Sequence, residues 1–437
     1  MRESFLQIEK LTFGGAGIGR LSGKACFVPY TAPDEEVHVR IVKEKQSYCE
    51  AEVRSMVRPS PHRVAPTCPV FGQCGGCSWQ HVVYSEQCHQ KQQLFADALW
   101  RGARIDAELI EPLMPAPESF HYRSRIQLKL RMACDRVHMG FYRSGTHYVI
   151  DVPTGCAIAS PILNTAIDEL RACITDSPEP DRIPQIDLAT GSRGGVSAVI
   201  HYAGDSPDPV ARWFQAHREL FPTLIGAQIQ TGRKSTLSAV FGETRLDYEV
   251  PGRLSGPLRL SFLADGFAQV NYRQNASLID KVMQWGALTG TERVLDLFCG
   301  NGNLSLPLAT AACHVVGIES YQASIEEARR NASANNIENV SFICADTLHG
   351  LQELTRAGER FDLVLLDPPR TGALETVGLI VALAPERIIY VSCDPATLAR
   401  DLSKFDKSGY RVVKSCPVDM FPQTFHLESV TLLARTN

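Results

Sequence analysis

The feature that most constrains the fold is a series of five short apolar strands in the C-terminal part of the chain, each followed by a helical segment. The strands read VLDLF, HVVGIE, VSFICAD, FDLVLLD and RIIYVSC, and all lie after about Leu260. Strands that alternate with helices in this way predict a doubly wound parallel sheet, the Rossmann-like α/β architecture. Two later segments, RVVKSCPVDM and SVTLLAR, predict two more strands that complete the sheet.

The N-terminal part of the chain has a different pattern. Short predicted strands up to about Val57 are separated by turns rich in Gly, Pro and Asp, which indicates a small β-barrel. A glycine cluster lies between two of these strands and no helix follows it, so a barrel turn is favoured over a phosphate-binding loop. The cluster consists of Gly14, Gly15, Gly17 and Gly19.

The middle of the chain begins with a proline-rich connector near residue 60. Beyond it the sequence predicts a helix from about Ser85 to Trp100, then a mixed sheet with helices near 161–173 and 209–220. A length of 437 residues suits two or three domains. The predicted domains comprise residues 1–58, 59–260 and 261–437.

Composition limits where the protein can act. No apolar run approaches the ~20 residues of a membrane span, and the N-terminal MRESFLQIEK lacks the pattern of a secretory signal. These features predict a cytoplasmic protein without a membrane span. In a reducing compartment the fourteen cysteines are expected to serve metal binding, catalysis or packing rather than disulfides.

A local basic patch lies between Glu118 and Tyr148, although the net charge of the chain is −4. Cations for phosphates beside aromatic rings for bases suit single-stranded RNA. A solvated strand face with ordinary core aromatics explains the same pattern equally well. The residues are Arg123, Arg125, Lys129, Arg131, Arg136 and Arg143 with Phe120, Tyr122, Phe141, Tyr142 and Tyr148.

The strand ends of the predicted parallel sheet carry a consistent set of ligand-binding residues. Ligands of such sheets bind beyond the carboxyl ends of the strands. The first strand opens into the glycine loop 299–303, the second ends in Glu319, suited to ribose hydroxyls, and the third ends in Asp346, suited to an adenine amine. Ser305 stands where a dinucleotide loop has its third glycine, which favours S-adenosylmethionine over NAD.

A candidate nucleophile and base lie at the same predicted edge. Cys393 ends the fifth strand, where its thiolate could add to carbon 6 of a uridine and make carbon 5 nucleophilic. Glu428 immediately precedes the last strand and is the candidate base for the carbon 5 proton. Asp367, in the fourth strand's DPPR, could position the uracil ring. Cys299, Cys313, Cys344 and Cys416 are interpreted as packing residues.

A second cysteine group lies in the central part. Cys68, Cys74 and Cys77 have the spacing C-x5-C-x2-C, and Cys156 is the best candidate for a fourth ligand. An iron-sulfur cluster is favoured over structural zinc, because zinc sites usually pair two short Cys-x2-4-Cys knuckles.

Several motifs together resemble the bacterial RNA 5-methyluridine (uracil-C5) methyltransferases, most closely the branch that acts on large-subunit (23S) ribosomal RNA. The resemblance covers essentially the whole chain. The motifs are FGQCGGC with the distant Cys156, YRSR at 122–125, GFYRSGTH at 140–147, FAQVN at 267–271, LDLFCGNGN, DPPR, YVSCDPATLARD and DMFPQTFHLES.

This resemblance implies an N-terminal TRAM domain, which is an OB-like RNA-binding barrel, and a central α/β domain that carries a [4Fe-4S] cluster on the four cysteines. Since the tRNA-modifying relatives are expected to lack both, it favours a single-stranded or loop uridine of 23S rRNA as the target. It also implies Cys393 as nucleophile and Glu428 as base. The implied S-adenosylmethionine contacts are Gln269, Phe298, Asn303, Glu319, Asp346 and Asp367. The protein is expected to act as a monomer.

One residue departs from the family pattern. The family usually has asparagine directly after the nucleophile, and this chain has Asp394. A carboxylate beside the thiol would disfavour the thiolate unless it is paired or points away.

Two other functions stay open. One is a nucleobase N-methyltransferase acting on RNA, because DPPR is similar to the strand end of enzymes that methylate exocyclic nitrogens. The other is a non-catalytic factor that binds ribosomal RNA and assists assembly.

Overall fold

A computed structural model describes residues 3–232, 236–253, 256–264 and 266–436. Within these ranges the strands form three sheets of six or seven strands and a separate two-stranded hairpin. No helix in the same ranges has the length and apolar character needed to cross a membrane.

The N-terminal strands form a six-stranded sheet with the order β1-β5-β6-β4-β3-β2. Their inward side chains, such as Leu6, Val28 and Val39, make a small core of their own. The strands are β1 (Glu3–Gln7), β2 (Lys10–Leu11), β3 (Gly17–Leu21), β4 (Lys24–Val28), β5 (Glu36–Glu44) and β6 (Tyr48–Arg58). The predicted domain boundary after residue 58 follows the end of β6 and stays a prediction.

The glycine cluster is only partly the predicted turn. Gly14 and Gly15 have φ values of 96° and 88° and form a turn, whereas Gly17 and Gly19 belong to β3. A Cβ atom on Gly19 would lie 2.1 Å from the carbonyl oxygen of Gln7. Glycine is therefore required where two backbones approach closely inside a strand, and the strand itself was not predicted.

The central sheet has seven strands in the order β13-β12-β11-β10-β7-β8-β9. It is mixed, as predicted, because β11 and β12 are parallel while the other neighbouring pairs are antiparallel. The elements of this region are α1 (Tyr84–Ala103), β7 (Arg125–Ala133), β8 (Arg136–Tyr142), β9 (Val149–Asp151), α2 (Pro161–Cys173), β10 (Gln185–Thr190), β11 (Val196–Tyr202), α3 (Asp208–Ala216), β12 (Leu224–Thr231) and β13 (Thr236–Gly242).

The hairpin of β14 (Arg245–Val250) and β15 (Leu258–Leu263) contains the predicted domain boundary between residues 260 and 261. Tyr248 and Phe262 from the hairpin belong to the same apolar core as the C-terminal sheet. The hairpin thus packs with the C-terminal sheet, and the predicted boundary within β15 stays a prediction.

The C-terminal sheet has the order β18-β17-β16-β19-β20-β22-β21. Its first five strands are parallel, and the last two pair antiparallel, which confirms the doubly wound sheet and the two closing strands. The elements are α4 (Tyr272–Gly286), β16 (Arg293–Leu297), α5 (Ser305–Ala309), β17 (His314–Glu319), α6 (Gln322–Ala334), β18 (Val340–Cys344), α7 (Thr347–Arg356), β19 (Leu363–Leu366), α8 (Val377–Ala382), β20 (Arg387–Ser392), α9 (Pro395–Lys407), β21 (Tyr410–Val418) and β22 (Glu428–Arg435).

Helix α1 packs on the C-terminal sheet although it precedes the central sheet in sequence. Phe95 and Leu99 are fully buried in the same core as Leu398 and Leu402 of α9. A Cβ atom on Gly102 would lie 2.6 Å from the Cβ atom of Ala399, so the two helices approach very closely there. Helix α1 therefore belongs by packing to the C-terminal sheet.

Candidate active site

Cys393 lies in the one-residue step between the end of β20 and the cap of α9. The neighbouring Asp394 is the N-cap of α9, and its Oδ1 accepts hydrogen bonds from the backbone N–H groups of Ala396 at 2.9 Å and Thr397 at 3.0 Å. The carboxylate of Asp394 is therefore hydrogen-bonded to the N-terminus of α9. Because it is paired in this way, it does not disfavour the thiolate of Cys393. The N-terminus of α9 also favours negative charge nearby.

The thiol of Cys393 lies among acidic groups. Burial, then the charges of Glu428 and Asp367, raise its pKa to about 12, while Arg370 opposes that rise. The thiol is protonated at neutral pH in the absence of other molecules. The buried and acidic surroundings therefore disfavour the thiolate.

Glu428 is the first residue of β22, directly opposite Val418 of β21. Its side chain is buried, and burial together with the charge of Asp367 raises its pKa well above the usual range of a glutamate, although Arg370 opposes the shift. Burial likewise raises the pKa of Asp367 to about 7. A carboxylate with a raised pKa is a stronger base, as proton abstraction requires.

Four of the six predicted cofactor residues line one narrow crevice of about 40 Å³ at the carboxyl edge of the sheet. They are Gln269, Phe298, Asn303 and Asp367. Gly300, in the loop after β16, has φ of 54° and open space where a Cβ would stand, so the backbone is accessible to a ligand.

The other two predicted residues lie beside this crevice rather than in its lining. Glu319 ends β17, and its Oε2 accepts a hydrogen bond from the N–H of Gly300 at 3.3 Å, which places it against the glycine loop. Asp346 caps α7 and accepts a hydrogen bond from the N–H of Leu348 at 3.0 Å. Their contacts with ribose and adenine stay a prediction.

Asp296 is a crevice residue that was not singled out from the sequence. It is 1% exposed, Ser305 donates a hydrogen bond to its Oδ2, and its Oδ1 has no partner among the described residues. The signal was present, because Asp296 is the single charge inside the apolar strand VLDLF. An orphaned buried carboxylate oxygen in the crevice fits a cationic ligand, and S-adenosylmethionine carries an ammonium and a sulfonium.

The raised pKa of Asp296 predicts how the stability of the folded protein depends on pH. Burial raises this pKa to about 7, so the folded chain keeps a proton that the unfolded chain releases near pH 3.8. The proton on Asp296 stabilises the folded protein fully below pH 3.8, and this stabilisation is lost as the pH rises through about 7. We expect the thermal midpoint of the cofactor-free protein to fall between about pH 5 and pH 8, and to fall less in Asp296→Asn.

The matched control for this measurement is Asp181→Asn, because Asp181 is exposed. Its curve should follow that of the unmodified protein. Parallel curves for Asp296→Asn and the unmodified protein would contradict the assignment of the pH dependence to Asp296.

The four predicted ligand cysteines line a single cavity of about 360 Å³, here called the thiol cavity. Cys68, Cys74 and Cys77 enter it from one loop and Cys156 from the segment before α2. Burial raises the pKa of Cys74 to about 11 and that of Cys77 to about 12, and the neighbouring thiols add to both shifts. Arg123, Arg125 and Lys129 line the same cavity and bring positive charge to it.

The arrangement of the thiols limits what they could hold. Within the part of the chain that the structure describes, no three His, Cys, Asp or Glu side chains are grouped as for a metal ion. The donor set of four convergent thiols still suits an iron-sulfur cluster, which is larger than one ion and holds its thiolate ligands farther apart.

The basic patch is partly exposed and partly buried. Tyr148 is 53% exposed, and the guanidinium groups of Arg131 and Arg143 lie 5.4 Å and 5.5 Å from its ring centre. Tyr122, in contrast, is buried and donates a hydrogen bond to the carbonyl oxygen of Pro422 at 3.0 Å. Its ring is a packing group and does not contact RNA bases.

Two of the cysteines interpreted as packing residues are exposed. Cys299 and Cys416 are buried, but Cys313 and Cys344 are not. Cys344 lies on β18, which is an edge strand, and Cys313 lies just before β17. The apolar neighbours of these cysteines in sequence did not show whether each cysteine lies at the exposed edge of the sheet or in its buried centre.

Comparison with protein families finds two matches. Residues 83–436 match the tRNA (uracil-5-)-methyltransferase family, and residues 6–53 match the TRAM domain. The first match begins at α1, in agreement with the packing of that helix on the C-terminal sheet.

Curated relatives match over the full length. The 23S rRNA (uracil(1939)-C(5))-methyltransferase RlmD of Alkalilimnicola ehrlichii is 36% identical over 99% of this chain and 97% of its own. The protein of the same name from Vibrio parahaemolyticus is 34% identical over 100% of this chain and 97% of its own.

A solved structure also matches the whole chain. The tRNA (uracil-54, C5)-methyltransferase of Pyrococcus abyssi, in complex with S-adenosyl-L-homocysteine, has a TM-score of 0.74 and 26% identity, and the match covers 99% of this chain and 100% of that one. A tRNA-modifying relative therefore spans the N-terminal sheet as well. The expectation that such relatives lack this region is wrong.

Proposed function

Since the chain belongs to the tRNA (uracil-5-)-methyltransferase family and is an S-adenosylmethionine-dependent RNA uracil-C5 methyltransferase, we propose that its substrate is a uridine of 23S ribosomal RNA. The observation that carries this proposal is the full-length identity of 36% and 34% to relatives named for that RNA, against 26% to the tRNA enzyme. The target is the uridine equivalent to position 1939 named in those relatives. The protein acts as a monomer in the cytoplasm.

The test is methyl transfer from radiolabelled S-adenosylmethionine to two RNAs that lack 5-methyluridine, one 23S rRNA and one tRNA. We expect incorporation into 23S rRNA at a single uridine, with little incorporation into tRNA. Transfer to tRNA alone would overturn the proposed target and leave the family assignment intact.

The proposed cofactor residues follow from the crevice. When bound, S-adenosylmethionine supplies an electrophilic methyl group. Gln269, Asn303 and the backbone of the glycine loop bind its polar atoms, and Phe298 packs against its apolar surface. Glu319 binds the ribose hydroxyls and Asp346 the adenine amine. Asp367 lines this crevice, lies near Cys393 and Glu428, and orients the uracil ring.

The proposed chemistry uses Cys393 and Glu428 in sequence. The thiolate of Cys393 adds to carbon 6 of uracil, so carbon 5 becomes nucleophilic and accepts the methyl group. Glu428 then takes the proton from carbon 5. The electron pair of that C–H bond forms the C5=C6 double bond, and the C6–S bond breaks to release the thiolate. The raised pKa of Glu428 supports its role as base.

The nitrogen-methylating alternative is separated from this chemistry by RNA that contains 5-fluorouridine. Carbon 5 of that base carries no removable proton, so a carbon 5 enzyme stays covalently attached to it. We expect a protein–RNA adduct that survives denaturation. An active enzyme that leaves no such adduct would favour methylation of an exocyclic nitrogen, which needs no cysteine.

For the thiol cavity we propose a [4Fe-4S] cluster held by Cys68, Cys74, Cys77 and Cys156. The convergence of four thiols and three cationic side chains on one cavity supports it, since a thiolate-bound cluster is anionic. Protein purified without oxygen is expected to be brown, and Cys74→Ser is expected to lose that absorbance. The exposed Cys134→Ser should keep it. Colourless protein that contains zinc would overturn the proposal.

A further inference from the structure

The loop 419–427, here called the base loop, connects β21 to β22. Val418 and Glu428 at its two ends are direct partners in the antiparallel ladder. Glu428, the proposed base, is thus the first residue after the loop. Anything that moves the loop changes where this carboxylate lies.

Gln423 is the residue through which the base loop is attached to the rest of the protein. It is 2% exposed and has φ of 67°, a conformation that a non-glycine residue rarely adopts. Its backbone N–H donates to Oε1 of Gln87 on α1 at 2.9 Å, and Nε2 of Gln87 donates back to its Oε1 at 2.9 Å. Its own Nε2 donates to the carbonyl oxygen of Ser119 at 3.2 Å.

The remaining polar group of Gln423 contacts the cysteine-rich segment. The backbone N–H groups of Ser78 and Trp79 both donate to its carbonyl oxygen at 3.0 Å. Ser78 directly follows Cys77 of the thiol cavity. Ser78 lies between Cys77 and Trp79 in sequence. The loop that contains the cysteines of the thiol cavity therefore also forms hydrogen bonds with the base loop.

Further contacts fix the base loop on the N-terminal side of Gln423. The ammonium of Lys91 on α1 lies 2.6 Å from Oδ1 of Asp419 and donates to the carbonyl oxygen of Phe421 at 3.1 Å. Both charged side chains are fully buried. Such a pair is costly to break because either partner alone would be a buried unpaired charge.

These contacts differ from those of an ordinary surface turn. Loops usually satisfy most of their polar groups with water, whereas all the polar groups of Gln423 have protein partners. A strained φ held by its surroundings is a feature of functional sites. Glu428, the proposed base, directly follows the loop that these contacts hold.

We propose that Gln423 is a positioning residue for proton removal: together with Gln87 and the Ser78–Trp79 backbone, it fixes the base loop so that Glu428 meets carbon 5 of the substrate uracil. This inference rests on the proposed function, because it takes Glu428 as the base. The thiol of Cys393 is carried by the step between β20 and α9, and among the described residues no hydrogen bond joins the base loop to either element. Gln423 therefore acts on the second half of the reaction and leaves the first half intact.

Two variants test the role. Gln423→Ala removes the side-chain hydrogen bonds without changing the strain at φ 67°, since both residues carry a Cβ. Gln87→Glu is nearly isosteric and keeps the oxygen that accepts from the N–H of Gln423, but it removes the amide that donates to Gln423 and to the carbonyl oxygens of Trp79 and Val82. The matched control is Gln93→Ala, on the exposed face of the same helix.

The readouts separate the two halves of the reaction. Adduct formation with 5-fluorouridine RNA measures addition and methyl transfer, and turnover on uridine RNA also requires proton removal. In both variants we expect kcat on uridine RNA to fall about 10- to 100-fold, with KM and the adduct rate within about twofold of the unmodified protein. A methylated covalent complex should accumulate on uridine RNA, and Gln93→Ala should behave as the unmodified protein.

Other outcomes overturn the inference. Equal losses of adduct formation and turnover would mean that the contacts only stabilise the fold, and unchanged turnover in both variants would mean that they position nothing. If Gln423→Ala does not fold, Gln87→Glu decides between these results. Failure of the proposed function is a distinct result, because the unmodified protein would then form no adduct.

Discussion

Replacing Cys393 by alanine is expected to lower methyl transfer to RNA by about 10⁴-fold or more, because the proposed reaction begins with addition of this thiolate to carbon 6 of the uracil ring. The same variant should form no covalent adduct with 5-fluorouridine RNA. Binding of S-adenosylmethionine should change little, since the crevice that contains Gln269, Phe298 and Asn303 lacks this residue in its lining. Single-turnover transfer of a radiolabelled methyl group and denaturing electrophoresis measure the two effects.

The control for this prediction is Cys313→Ala. Cys313 is exposed and lies just before β17, at the opposite end of a strand from the crevice. That variant should keep full activity. Substantial methyl transfer by Cys393→Ala would show that the thiol is not the nucleophile.

Glu428→Gln is expected to stop the reaction at a later point. Glutamine has nearly the same shape but cannot accept the carbon 5 proton, so turnover should fall about 10²- to 10⁴-fold. Addition and methyl transfer precede that step, and a methylated protein–RNA complex should therefore accumulate on ordinary uridine RNA. The loss of the buried charge should also lower the pKa of Cys393, since Glu428 raises it.

The matched variant is Glu386→Gln, because Glu386 is exposed and lies next to the start of β20. It should neither slow turnover nor retain RNA. If Glu428→Gln turns over normally, the proton is taken by another group. If it forms no complex and no 5-fluorouridine adduct, Glu428 acts before the methyl transfer and the proposed order of roles is wrong.

The parallel sheet, and the edge of it that carries the candidate functional residues, could be predicted because both depend on local sequence. Apolar strands alternate with helices in the C-terminal part, and the residues after each strand fall at one edge of the sheet by the rule for parallel strands. This placed Cys393, Asp367 and the glycine loop 299–303 at a common edge, where the structure has them. Glu428 did not follow from this rule, because β22 is antiparallel to β20, and it was proposed from its position before the last predicted strand.

Other features depend on contacts distant in sequence. The strand β3 was missed because Gly17 and Gly19 weaken the strand pattern, and only the neighbouring backbone explains why glycine is needed there. Tyr122 was grouped with surface aromatics because its partner, the carbonyl group of Pro422, lies 300 positions away. Gln423 gave no signal, because a glutamine in a loop is usually solvated.

The packing of α1 against α9 shows that the catalytic unit is assembled from two separate stretches of the polypeptide. Phe95 and Leu99 supply apolar surface to the core formed by residues such as Leu402, far along the chain. A fragment that starts at residue 261 would lack this cover and would expose the apolar side of α9 to water. The central sheet is therefore inserted into the methyltransferase unit and is joined to that unit at both of its ends.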